Sequence, residues 1–474
     1  MTKKSSVSVS QLFLIVFLIL TVGYLFQPTF SAYFFQDDWF SLLISKAKNI
    51  REVLGFFLPR NDVIYYRPLG MQLPFFVFQT LFGLNPLPFK IATFTIHLIN
   101  GFLVYRLLKF LLKDQQLASF GAIFYLTSAT HLIIFYWAAT FAFVLAPFFY
   151  FLSFLLFVFK RRRLSFLVFI LGLTANELLI TLPLILTIWL IKSGELRSKW
   201  RQILPHWLAE LTYLGFRTTL AKPPTSEGYT FLTSVHQFFL NLRNYLLWAF
   251  NWPDEINGQF VSFWKLNPQF VVNFHTYFTI LVVATFVFLL FMIGFPIFLR
   301  FKKRSTVSTP QLSIWGSIWF IITLSPVLYF AKHYFSYYLP IPLFGLILFS
   351  LAFFTQATDN LISKRLRNGI LFLVLAFWYI AAFSTVRTDI DIHWAPRRAK
   401  ISKALSVQIK KFFPQLPPNA LVLLANSDET KWALGEENAL KVLYDPSIHT
   451  YYGNQEAYLK TTVDEIPRQI FKLP

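Results

Sequence analysis

Apolar residues in this chain come in long runs broken by short polar clusters, not at the regular spacing of a soluble amphipathic fold. A run of about 18 residues or more matches a bilayer-crossing helix. Such runs fall at about 11–30, 88–108, 117–136, 139–159, 203–220, 270–299, 311–330, 337–355 and 369–386. Shorter apolar segments at 164–175 and 178–191 fit between them. The pattern predicts an all-α polytopic membrane protein of about eleven transmembrane helices. The stretch 69–84 is apolar but short and carries Pro74, which suits a half-inserted helix.

Polar punctuation sets the rest. A first external loop is expected at about 31–68 and a second at about 221–268, the latter marked by the turn-rich strings "KPPTSEGY" and "NWPDEING". In the first loop, Leu43, Ala47, Ile50, Leu54 and Phe57 are interleaved with Lys46, Lys48, Arg51 and Glu52. That spacing suits a helix in the membrane interface or an ordinary surface helix. Beyond about 387 the composition becomes that of a soluble domain. "NALVLLA" (419–425) reads as a buried strand and "SDETKWALGEENALKVLY" as a capped helix. A membrane domain over 1–386 and a small external α/β lobe over 387–474 are therefore expected.

Composition agrees: 56% of residues are hydrophobic and only 14% charged, against about 25% charged in soluble domains. The net charge of +21 could point to nucleic acid, but the basic residues cluster at the ends of apolar runs: "KRRR" (160–163), "KSGELRSKWR" (192–201), "RFKKR" (300–304) and "SKRLR" (363–367). This is the positive-inside pattern of cytoplasmic loops. With no zinc spacing, RNP-like string or helix-turn-helix pattern, nucleic acid is excluded as a partner. Lys3 and Lys4 place the N-terminus inside, and an odd number of crossings places the C-terminus outside, in the plasma membrane. The first run also has the form of a signal peptide, with "FSA" at 30–32, but the many later runs favour an uncleaved anchor. The absence of cysteine removes disulfides and thiolate metal sites.

Two elements carry candidate chemistry. Asp37 and Asp38 lie in "AYFFQDDWFSLL", where aromatic residues would otherwise settle at the interface. Charges at a membrane boundary are costly and are functional candidates. Either carboxylate can serve as a general base, with its neighbour orienting it or holding a divalent cation. Arg67, in "NDVIYYRPLGMQLPFF", can grip a phosphate through paired donors. Both face the same compartment, near the lipid phosphate plane. Lys332 and His333 in an outer loop could also meet a phosphate. His97 and Asn100, three apart on one helix face, suit interhelical hydrogen bonding, His131 suits packing, and Asp254 and Glu255 a solvated turn.

"DDW" after the first run, followed by "YYRPLGMQLPFFVFQTLFGLNPLPFKIATFTIHLINGFLVYRLL" (65–108), resembles the N-terminal half of GT-C-type membrane glycosyltransferases, in the polyprenyl-phosphate-sugar-dependent, protein-mannosyltransferase-like branch. The shared features are Tyr66–Leu69, the turn Gly83–Pro86, His97 and Asn100. The resemblance covers about 11–200 and returns at "KHYFSYYLPIP" (332–342). It implies inverting transfer of a sugar from a polyprenyl-phosphate donor to a glycan, lipid or protein acceptor at the outer face. It also implies an acidic base or metal carboxylate, carried onto Asp37 or Asp38, with Mg or Mn as the candidate cation. Relatives often carry a further acid between the third and fourth spans, where this chain reads "YWAAT"; Glu177, in Asn176–Glu177, is the candidate replacement. The rival readings are a lipid or solute transporter and a noncatalytic GT-C-like membrane protein. The first is disfavoured by the absence of a visible internal repeat, by the few intramembrane charges and by the long outer loops.

Overall fold

The computed structural model describes residues 9–60, 63, 65–220, 230–231, 234–303, 311–358, 361–424, 427–453 and 470–472. Among these, six helices are long and apolar enough to cross a bilayer: Leu87–Leu112, Ala138–Val158, His275–Lys302, Gln311–Leu328, Pro340–Thr358 and Lys364–Ile392. A seventh crossing arises if Gln115–Leu126 and Ala129–Tyr136, bent by 44°, form one span. This is the character of a multi-pass helical membrane protein. The other four expected crossings are helical but shorter: Val9–Leu25, Arg162–Ala175, Leu182–Lys192 and Leu204–Thr219. The count of eleven is therefore not reached by helix length alone.

The bend is accommodated by a residue distant in the chain. Breaking a helix leaves the first amides of the new segment without intrahelical acceptors. The fully buried Asn251 meets them: its Oδ1 accepts from the Ala129 amide at 2.8 Å and from Ser128 Oγ at 3.2 Å. His97 and Asn100 make interhelical bonds as expected, to the Leu126 carbonyl (3.0 Å) and the Val144 carbonyl (2.9 Å). His131 packs against His97, with ring centroids 4.4 Å apart. Helices Gln311–Leu328 and Pro340–Thr358 approach backbone to backbone through Gly316 and Gly345. A Cβ on Gly316 would lie 2.5 Å from the Phe349 nitrogen, so only glycine permits the contact.

The basic loops gather at one end of the bundle. Arg367 pairs with Asp114 at 3.0 Å, Arg162 donates to Gln202 at 2.8 Å, and Arg300 donates to the Ala357 carbonyl at 2.7 Å. Helix Leu87–Leu112, 26 residues long and so about 39 Å at 1.5 Å per residue, runs from the Asp37–Asp38 region to this basic end.

Several loop expectations change. The apolar 69–84 stretch is a π-turn, Pro68–Gln72, continuing into helix Leu73–Phe82. The interfacial helix is split into Asp37–Ile44 and Ile50–Gly55. Asn49 starts the second piece by accepting from the Glu52 amide at 3.0 Å, while Glu52 accepts from the Lys48 amide at 2.8 Å. Ile50 and Leu54 remain exposed on it. The second expected loop is largely structured. Helix Val235–Ala249 occupies its middle because Asn241, Tyr245 and Trp248 recur on one buried face. "KPPTSEGY" lies outside the described residues.

Helix Lys364–Ile392 runs past the expected boundary at 387 and is followed by helix Trp394–Phe412 and the lobe. The lobe holds a three-stranded parallel sheet in the order β2-β1-β3, with β1 Leu421–Leu424, β2 His449–Tyr452 and β3 Ile470–Lys472. Leu421 registers with His449 on one side and Ile470 on the other. The expected single helix after β1 is two, Asp428–Ala433 and Asn438–Leu443. Gly435 (φ 57°) and Glu436 (φ 60°) turn the chain between them.

Candidate functional site

At the end of the bundle away from the basic loops lies a cavity of about 270 Å³. The first loop, the π-turn, the 137–143 bend, the 333–338 segment and the C-terminal lobe all contribute to its wall. Asp37, Arg67 and His333 all line it. Three residues chosen from distant parts of the sequence are thus brought to one site. Asp38 and Glu177 stand behind this wall, and Lys332 is exposed outside it.

The two aspartates separate by role. Both occupy the first turn of helix Asp37–Ile44, where the helix dipole favours negative charge. Gln36 precedes them in a strained conformation, φ 52° and ψ −124°, a region that costs a non-glycine residue about 1–3 kcal/mol. It is held there from three sides. Its amide donates to the Ala433 carbonyl at 3.1 Å, its Oε1 accepts from Arg398 at 2.7 Å, and its own carbonyl faces Gly435 so closely that a Cβ there would lie 2.5 Å away. This clamp directs Asp37 into the cavity. Burial pushes the Asp37 carboxyl up to about 6, against the lowering pull of Arg398. Asp38 points the other way and is fully buried. Its Oδ2 accepts from the Phe35 amide at 3.1 Å and its Oδ1 from the Ala139 amide at 2.6 Å. Burial raises its carboxyl, opposed by the positive charge of Lys90 and by both amides. Asp38 is thus a tie between the first loop and the bend near Trp137.

Arg67 lies almost buried between the rings of Tyr65 and Phe143, at 4.8 and 4.9 Å from their centroids. Its fork is already engaged. Nε donates to Glu177 Oε2 at 2.8 Å and Nη2 donates to Glu177 Oε1. The expected paired grip on a phosphate is therefore spent on Glu177, and Nη1 is the edge without a hydrogen-bond partner among the described residues. Burial opposes both charges, but each partner overrides it. The Arg67 pKa is raised, and the Glu177 carboxyl is lowered to about 2. Glu177 replaces the acid missing from "YWAAT" only as the partner of Arg67. His333 contacts Tyr337 Oη at 3.4 Å. Burial, reinforced by Arg67, lowers it to about 4, so it faces the cavity as a neutral imidazole and not as a cation.

The candidate cation has little to bind. Asp38 spends both oxygens on amides, and among the described residues no three His, Asp or Glu side chains converge as a metal-binding group.

Asp254 is not in a solvated turn. Its side chain is 8% exposed, accepts from the Ser336 amide at 3.1 Å and meets His393 at 3.5 Å. It ties the 254 segment to the segment before Pro340 and to the start of the lobe. Gln36, Arg398, Lys90 and the lobe residues Trp432, Glu436 and Asn438 escaped the sequence reading. Only Lys90 left a signal: a lysine at the outer start of an apolar run, against the positive-inside trend.

No family model matches the chain, and no curated protein matches it.

Proposed function

We propose that the protein transfers a sugar from a polyprenyl-phosphate-linked donor to an acceptor at the outer face of the membrane, with inversion at the anomeric carbon. The observation that carries this reading is the shared cavity of Asp37 and Arg67, a carboxylate raised toward neutrality facing a fixed guanidinium. In the proposed step the Asp37 carboxylate takes the proton of an acceptor hydroxyl. The acceptor oxygen forms a bond to the anomeric carbon. The bond from that carbon to the phosphate oxygen breaks, and its electron pair stays on the phosphate. Arg67 stabilises that growing charge through its Nη1 edge, with Glu177 and the two rings holding the guanidinium still. His333 and Tyr338 line the same wall as neutral hydrogen-bonding groups.

The test is transfer from radiolabelled polyprenyl-phosphate sugars to membrane extracts by the purified protein. Turnover should fall as pH falls through about 6, because Asp37 acts as a base only when ionised. The stability linkage has the opposite sense. A carboxyl raised from 3.8 contributes stability below about pH 4, and that contribution is lost as pH rises through about 6. A rate independent of pH between 5 and 7 would remove Asp37 as the base.

The proposed topology places the basic end in the cytoplasm, the cavity and lobe outside, and counts the four short helices as crossings. Cysteines introduced at Arg163 and Pro418, both exposed, should react with an impermeant reagent from opposite sides of intact cells or inverted vesicles. Reaction from one side overturns the odd number of crossings.

A further inference from the structure

The cavity is not built by the membrane bundle alone. Trp432, Gly435, Glu436 and Asn438 of the C-terminal lobe line it together with Arg67 and Asp37. The lobe is held there by the Gln36 clamp and by the hydrogen bond from Trp39 Nε1 to Ser402 Oγ at 3.0 Å, while Arg398 pairing with Glu429 at 3.5 Å ties helix Trp394–Phe412 to helix Asp428–Ala433 within it. The bend that presents these residues is defined as well. Gly435 and Glu436 both have positive φ, Asn438 Nδ2 donates to the Gly435 carbonyl at 2.8 Å, and Tyr452 Oη donates to the Glu436 carbonyl at 2.6 Å.

The chemistry of this part of the lining differs from that around Arg67. Trp432 is 47% exposed although it lines the cavity. The Arg398 guanidinium lies over its ring at 5.4 Å and packs also on Trp394 at 5.0 Å. An indole fixed in this way offers an apolar plate. Beside it stand the Glu436 carboxylate, 64% exposed, and the side-chain amides of Asn438 and Gln36. A phosphate would meet the Glu436 carboxylate, which Lys431 pairs with at 3.9 Å, and a hydrocarbon chain would offer nothing to that carboxylate, to Gln36 Nε2 or to Asn438 Oδ1, the polar atoms left over once Arg398 and the Gly435 carbonyl are served. A pyranose fits both halves. Its C–H face covers an aromatic ring, and its hydroxyls donate to a carboxylate and exchange hydrogen bonds with amides. At about 270 Å³ the cavity sits near the lower end of small-ligand pockets, about 300 Å³, which suits sugar rings rather than a folded surface.

We infer that the Trp432–Asn438 bend of the lobe is a saccharide-binding subsite that holds the acceptor, so that the acceptor hydroxyl presented to Asp37 belongs to a sugar ring. The inference rests on the transferase reading for the word acceptor, but the sugar site itself is tested separately. The full-length protein in lipid nanodiscs is titrated with methyl α-D-mannopyranoside, methyl α-D-glucopyranoside and methyl β-D-galactopyranoside, with binding read by saturation-transfer NMR. Binding of polyprenyl phosphate is measured in parallel. At least one glycoside should bind. Trp432→Ala should weaken it at least tenfold, Trp432→Phe should restore most of the affinity, and Glu436→Gln should weaken it severalfold. Polyprenyl phosphate binding should be unchanged in all three. The half-exposed position of Trp432 makes these variants safe for folding, and an unchanged unfolding temperature verifies it. The proposal is overturned if no glycoside binds the parent protein, if Trp432→Ala binds as the parent does, or if a serine-containing peptide competes for the site and the glycosides do not. Glycoside binding that depends on Trp432, together with no sugar transfer from any polyprenyl-phosphate donor, would sink the transferase reading and leave the subsite standing.

Discussion

Asp37→Asn should lower turnover by about 10²–10⁴-fold, the usual contribution of a general base, while leaving the fold at least as stable as the parent at neutral pH, where the buried carboxylate costs stability. Asp38→Asn should do the reverse. The difference follows from where each carboxylate points. Asp37 faces the cavity, and the amide that replaces it has similar size but cannot take a proton. Asp38 accepts from two backbone amides, at Phe35 and Ala139. An asparagine there can accept only through its single oxygen, so its NH2 group must oppose one of those N–H donors. Leaving one buried donor unsatisfied costs about 1–3 kcal/mol, and Lys90 loses its nearby counter-charge. Thermal unfolding in detergent, set beside sugar-transfer rates, separates the two. Equal loss of turnover with equal stability in both variants would sink the division of roles, and parental turnover in Asp37→Asn would sink the transferase reading.

Arg67→Met should destabilise the fold by about 3 kcal/mol and abolish donor use. Removing one partner of a buried ion pair costs about 3–5 kcal/mol because the other charge is stranded. The lower end applies because the Glu177 side chain keeps 36% of its surface. The double variant Arg67→Met, Glu177→Leu should recover most of that stability, since an apolar pair of similar volume avoids the desolvation of two charges. It should not recover transfer, because the cation facing the leaving phosphate is gone. Arg67→Lys retains charge but loses the planar fork that Glu177 and the two rings hold. It should raise the donor KM at least tenfold. Stability recovered together with transfer in the double variant would remove Arg67 from the site and leave the pair as a structural bond alone.

Much of this architecture was legible in the chain because membrane helices are written in local composition. Apolar length predicts spans, basic clusters predict which ends lie together, and the structure gathers those clusters at one end through Arg162, Arg300 and Arg367. The strand at Leu421–Leu424 and the helical residues after it were equally local signals. Helix lengths were less legible. Hydropathy does not register where a helix continues into polar residues, as Lys364–Ile392 does on both sides of the expected 369–386.

The sequence by itself determined the multi-pass helical character of the protein and that its basic clusters lie together, and it singled out Asp37, Asp38 and Arg67, because each of these depends on residue type and position along one stretch of chain. Only the tertiary structure decided what those residues touch. That Asp38 is consumed by the amides of Phe35 and Ala139, that Glu177 closes the fork of Arg67 from 110 residues away, and that Trp432 returns from the far end of the chain to face Asp37 are facts of long-range packing. A carboxylate is a base or a tie according to which donors surround it, and those donors come from segments whose meeting no local pattern records.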